Sequence, residues 1–213
     1  MSSPVFPPAE HESKRLSPEA ALEELIAGNR RFTGGRTSAH RRDLAMLHQM
    51  LEKQEPFAAI LSCADSRVPV EVVFDQTIGQ LFVTRVAGNI VTAEIMASLE
   101  YAAAVLGTNT ILVMGHGRCG AVTAAIQASP QALNQGPPVP GQISALFPYI
   151  EHAVEQAGPD VEATIRANVL IQAARLRESP LLAAMIEEGK LIVAAAYFDL
   201  RTGAVTLLDQ PER

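Results

Sequence analysis

Four short apolar runs, at residues 57–62, 81–86, 110–115 and 191–198, constrain this chain more than any other feature. They lack the strict polar alternation of a strand with one wet face, so they read as strands of a parallel sheet buried on both sides. Such a sheet needs helical crossovers, and the intervening sequence supplies them. Residues 92–106 are expected to be helical, with Thr92 as cap, Glu94 in the first turn and Gly107 at the end. Residues 119–129 form another expected helix, and 142–188 are mostly helical after a Pro- and Gly-rich loop at 136–141. Ahead of the first strand, Ser17-Pro18-Glu19 starts a helix with Leu22, Leu25, Ile26 and Phe32 on its apolar side. A second helical pattern spans 41–53, with Leu44, Leu47, Met50 and Leu51 on one side. The turn Arg201-Thr202-Gly203 leads to a short strand at 204–208, which predicts an antiparallel edge. The expected fold is therefore α/β: a central, mostly parallel four-stranded sheet with an added antiparallel edge strand, flanked by helices and preceded by an N-terminal helical arm. Residues 1–16, rich in Pro, Ser and Glu, read as a flexible arm, and 17–213 as one domain.

A chain of 213 residues, 48% hydrophobic, can bury a full core without disulfides. Its net charge of -6 argues against a nucleic-acid partner, which needs a basic face. The densest basic group, Arg30, Arg31, Arg36, Arg41 and Arg42, is interrupted by apolar residues at helical spacing and reads as a helix surface. No apolar window is long enough for a membrane span, and the N-terminus lacks a secretory core. Cytoplasmic residence is the expectation, with a periplasmic or organellar location open if a targeting segment has been removed.

Open parallel sheets bind ligands at the carboxyl ends of their strands, and both cysteines of the chain fall there. Cys63 follows the first strand, while His116 and Cys119 follow the third. In Cys63-Ala64-Asp65-Ser66-Arg67 a thiol, a carboxylate and a guanidinium alternate, so an extended segment puts all three on one side. The carboxylate and guanidinium can pair at two points, which keeps the carboxylate ionised. Taken alone, this segment also fits a surface ion pair beside a core cysteine. The string Gly115-His116-Gly117-Arg118-Cys119-Gly120 matches a dinucleotide-binding turn, but no Asp or Glu occurs between Gly120 and Glu151 to hold a ribose. From the cysteine count, a Cys63–Cys119 disulfide or two buried free thiols remain open. A metal site accounts for more of these residues. Two sulfurs and one imidazole suit zinc better than magnesium or calcium. Cys119 opens a helix, whose positive end is expected to lower its thiol pKa. The fourth position falls to Asp65, closing the site, or to water, leaving it catalytic. Two thiolates offset the ion's charge, so activity is expected to favour alkaline pH.

These motifs, with the intervening Arg85-Val86-Ala87-Gly88-Asn89, resemble those of the β-class carbonic anhydrases over about residues 17–208. The resemblance implies a zinc lyase that reversibly hydrates carbon dioxide to bicarbonate and a proton by zinc-bound hydroxide, with one Zn2+ per subunit. It implies that Cys63, His116 and Cys119 hold the metal and that Asp65 and Arg67 gate it. Gln54 matches the glutamine that orients carbon dioxide or bicarbonate. Phe82 and Tyr101 match aromatic positions of an apolar substrate pocket that also takes in Gly120, and Ala87 stands where valine is common. Members regulated by bicarbonate carry a tryptophan; this chain has none, which implies the open form with Asp65 turned to Arg67. Family members are dimers or multiples of dimers with the active site at the subunit boundary, so a homo-oligomer is implied. His40, His48 and His152 are proton-route candidates by residue type alone. Two other functions share the metal centre: hydrolysis of carbonyl sulfide or carbon disulfide, and a non-catalytic zinc protein in which Asp65 closes the site.

Overall fold

The computed structural model describes residues 16–38, 43–130 and 139–209. Five strands occur in chain order: β1 (Ala58–Ser62), β2 (Leu81–Arg85), β3 (Thr110–His116), β4 (Ile192–Phe198) and β5 (Val205–Asp209). Two helices precede β1, α1 (Pro18–Thr33) and α2 (Leu44–His48). The crossovers carry α3 (Val70–Val73), α4 (Ala93–Ala104), α5 (Gly120–Ala128), α6 (Phe147–Ala157), α7 (Val161–Arg177) and α8 (Pro180–Glu187). The predicted caps are in place. Ser17 Oγ accepts from the Ala20 amide at 3.2 Å, and Thr92 Oγ1 accepts from the Ile95 amide.

The strands lie in the order β2-β1-β3-β4-β5, the first four parallel and β5 antiparallel to β4. Every residue of β1 and β3 is buried, as strands covered on both faces require. Alternate residues divide between the faces. Ala59, Leu61, Ile111, Val113, Val193 and Ala195 meet Leu99 of α4, Val169 and Leu176 of α7, and Leu182 of α8. Ala58, Ile60, Leu112, Met114, Ala194 and Ala196 meet Leu22 and Leu25 of α1 and Val70 and Val73 of α3. From β1 the chain goes outward to β2, then crosses back to β3 on the other side of β1. The strand order thus reverses between β1 and β3, and the loops leaving their carboxyl ends part to open a crevice there.

The second helical segment differs from expectation. Helix α2 has only five residues, capped by Asp43, and Leu44, Leu47 and Leu51 are 65%, 46% and 71% exposed. Their apolar side does not reach the core of this chain. The expected arm at 1–16 lies outside the described residues but for exposed Leu16, as do His40, Arg41 and Arg42.

Helix α1 is fixed by backbone contact as well as by side chains. Asn29 Nδ2 donates to the carbonyls of Val73 and Gly203, and its Oδ1 accepts from the Val205 amide at 2.8 Å. Arg31 Nε donates to the fully buried Asp75 at 2.6 Å. At Gly28 the helix presses so closely on Phe74 that a Cβ would stand 1.9 Å from its carbonyl oxygen. Gly28→Ala is therefore expected to destabilise the fold by about 1–3 kcal/mol, read as a lower urea midpoint; an unchanged midpoint would show that α1 can shift freely.

Candidate metal centre

The crevice between β1 and β3 gathers three buried groups. Cys63 leaves β1, His116 ends β3, and Cys119 caps α5. Their potential ligand atoms all lie within 4.8 Å of one another, and the two sulfurs are 4.0 Å apart as free thiols, which removes the disulfide alternative. His116 Nδ1 lies 2.9 Å from the Gly117 carbonyl, the geometry of an Nδ1–H donor. Its Nε2 is buried with no hydrogen-bond partner. An unpaired buried nitrogen aimed at two sulfurs fits a soft metal ion, since tetrahedral zinc with Zn–S near 2.3 Å spaces two sulfurs about 3.8 Å apart.

Asp65 lies beside this cluster and is turned to Arg67. Its Oδ1 accepts from the Arg67 backbone amide and Nε at 2.9 Å each, and its Oδ2 accepts from Nη2 at 2.8 Å. Oδ2 is 3.9 Å from His116 Nε2. The guanidinium holds the carboxyl far below the usual carboxylate range, against the opposing effect of burial. The Cys63 thiol is pushed down, against its burial, by the facing Cys119 sulfur, the nearby His116 ring and the Gly88 amide, whose nitrogen is 3.4 Å from Cys63 Sγ. At Cys119, contact with the Cys63 sulfur and burial push upward, against the lowering expected at a helix start, which the Ala121 and Val122 amides supply.

The remaining predicted residues divide into two groups. Ala87 begins the short turn that carries the Gly88 amide, and Gly120 follows Cys119, with nothing within 4 Å of where its Cβ would stand. Both are therefore close in sequence to residues of the metal cluster. Gln54 is exposed and precedes β1, whereas Cys63 follows it, so the length of the strand, about 16 Å, separates them within one chain. Phe82 pairs with Ala59 near the start of β2, also toward the amino end, and Tyr101 is 40% exposed on α4. His48 is exposed on α2, and exposed His152 faces Glu155. Arg85 has a structural part that its motif did not disclose. Its Nε donates to the Cys63 carbonyl at 3.0 Å and its Nη2 to the Asp65 carbonyl at 2.6 Å. The β1–β2 register, with Arg85 opposite Ser62, is the signal that could have found it.

A family profile described as "Carbonic anhydrase" matches residues 58–205. Carbonic anhydrase 2 of Mycobacterium tuberculosis is 33% identical over 208 residues, covering 91% of this chain and 94% of that protein. A carbonic anhydrase of Pseudomonas aeruginosa is 36% identical over 90% of each. Among solved structures, a Coccomyxa β-carbonic anhydrase is 26% identical with a TM-score of 0.69, over 90% of this chain and 87% of that one. The sheet, the crevice and the Cys-His-Cys cluster define a metal-dependent α/β enzyme, and the chain belongs to the carbonic anhydrase family. Within that family it is of the β class, whose reaction is the hydration of carbon dioxide.

The Asp65–Arg67 pair carries a pH signature. Because the folded pKa is depressed, its contribution to stability is complete above the unfolded value of about 4 and is lost as pH falls through the folded one. Asp65→Asn is expected to weaken the dependence of the urea midpoint on pH below 4. Equal slopes for both proteins would show that the pair does not contribute.

Proposed function

We propose that the chain reversibly hydrates carbon dioxide to bicarbonate and a proton, with one Zn2+ per subunit held by Cys63, His116 and Cys119, and that a second copy of the chain completes the site. The observation that carries the metal assignment is the unpaired, buried Nε2 of His116 beside the two sulfurs. When bound, zinc supplies the Lewis acidity that makes water a sufficient acid near neutrality. Arg67 fixes the Asp65 carboxylate beside the cluster, where it can accept a hydrogen bond from the attacking oxygen. The three hydrogen bonds between Asp65 and Arg67 support reading Asp65 as a gate held open and speak against the non-catalytic alternative. The small side chain of Ala87 and the open space where a Cβ would stand at Gly120 support reading both as walls of the pocket for a neutral linear substrate.

Gln54, Phe82 and Tyr101 sit away from the metal cluster of their own chain, so in this reading they serve the cluster of a neighbouring copy, with the Gln54 amide orienting carbon dioxide. The exposed Leu44, Leu47 and Leu51 support such a neighbour, because they place apolar surface just ahead of Gln54. Residues 17–213 act as one domain in this assembly. Among the described residues no helix is long and apolar enough to cross a membrane.

Metal analysis with stopped-flow carbon dioxide hydration tests the assignment. One zinc per chain and activity rising from neutral to alkaline pH are expected, with Cys63→Ser losing both metal and activity; a native chain without zinc, or a flat pH profile, counts against it. The shared site has its own test. Gln54→Ala is expected to lower turnover about 10- to 100-fold while keeping zinc. Mixed oligomers of Gln54→Ala with Cys63→Ser chains should regain activity, because one site then has both groups intact; no recovery would confine Gln54 to its own chain.

A further inference from the structure

Helix α7 contributes none of the three ligands, yet it meets the turn between His116 and Cys119 and the segment whose Gly88 amide reaches Cys63. Near its first turn, Glu162 Oε1 accepts from the Arg118 amide at 3.1 Å, inside the turn that joins His116 to Cys119. Its Oε2 accepts from the Tyr197 hydroxyl, which reaches it from β4. Arg118 is held there at φ 57, a left-handed conformation that a non-glycine residue adopts only when surrounding contacts enforce it. One turn on, Ile165 and Val169 press on Gly115, where a Cβ would stand 2.4 Å from Val169 Cγ2. Further along, Asn168 Nδ2 donates to the Gly88 carbonyl at 2.9 Å, and Gln172 Oε1 accepts from the Val91 amide at 2.8 Å. Asn168 and Gln172 are themselves joined at 3.1 Å, and Gln172 Nε2 also donates to the Tyr149 carbonyl. Gly88, whose carbonyl Asn168 holds, also donates its own amide, in the preceding peptide unit, to Cys63 Sγ.

We infer that α7 is the positioning element of the metal centre: Glu162, with Tyr197, sets the turn that aims His116 and Cys119, while Asn168 and Gln172 set the Gly88 amide on Cys63. This rests on the metal assignment proposed above. Asn168 and Gln172 are 1% and 0% exposed. Buried amides carry a desolvation cost that an apolar packing face would avoid, so their hydrogen bonds to these turns explain why they are polar. Tyr197 is suited to its part, since burial and Glu162 push its phenol up to about 12 and keep it a donor through the alkaline range.

The test reads the metal as well as the reaction. Zinc-loaded full-length protein is mixed with a chromophoric chelator, and the rate of zinc release is followed; the visible spectrum of the cobalt-substituted protein reports ligand geometry. Glu162→Ala and Asn168→Ala are each expected to release zinc about 10- to 100-fold faster and to alter the cobalt spectrum. Glu162→Gln, which keeps an acceptor for the Arg118 amide, should recover most of the native rate. Ala174→Ser, on the exposed side of α7, should match native protein. Should an alanine variant fail to fold, Tyr197→Phe removes only the hydroxyl that holds Glu162 and should still speed release severalfold. Native release rates and cobalt spectra in the folded variants overturn the role of α7. A native chain that takes up no zinc defeats the metal assignment itself, and that outcome is visible before any variant is compared.

Discussion

The side-by-side parallel pairing of β1 and β3 is the interaction on which the rest of the structure depends. It sets Ser62 opposite Met114, so the residues that follow the two strands emerge together although they are far apart in sequence. Parallel pairing demands crossovers on both faces, and these bury β1 and β3 completely. A one-residue slip between the two strands would move alternate side chains from one core to the other. The hydrophobic patterning of both strands therefore protects the ligand geometry without any ligand taking part in it.

The sequence was most informative where chemistry is carried by residue type. Four apolar runs, capping residues at Ser17 and Thr92, and sulfur and imidazole at strand ends are visible without coordinates, because each has a distinctive composition. Contributions from main-chain groups were not visible. The Gly88 amide on Cys63 and the Arg118 amide on Glu162 have no residue signature, since any residue supplies an N–H. Arg85 stood inside a quoted motif, yet its role as a brace on two carbonyls appears only once the strand register is known. Helix α2 is shorter than its pattern predicts because Leu44, Leu47 and Leu51 keep helical spacing while they stay exposed instead of entering the core.

Helix α7 shows how a functional requirement can blur an amphipathic pattern. Thr164, Asn168 and Gln172 occupy its fully buried side among Ile165, Val169 and Leu176. Read by hydropathy, the helix has no clean apolar stripe. Read by hydrogen bonds, the two amides are satisfied by Gly88, Val91, the Tyr149 carbonyl of α6 and each other, and Thr164 Oγ1 donates to the Gly158 carbonyl. The helix thus packs on the sheet and braces its loops with the same surface.

Asp65 is held in two unlike ways. Its carbonyl is bound by Arg85 from β2, whereas among the described residues its carboxylate is hydrogen-bonded by Arg67, whose side chain is 53% exposed. The backbone can therefore stay still while the carboxylate turns about its own Cα–Cβ bond, a motion of the nanosecond class rather than a rearrangement of the fold. An ion pair so open to water is weakened by dissolved salt, whose screening length is about 8 Å at physiological ionic strength, while the buried sulfurs are shielded from it. The hold on the Asp65 carboxylate is thus tied to the salt content of the surrounding solution, and the cluster beside it is not.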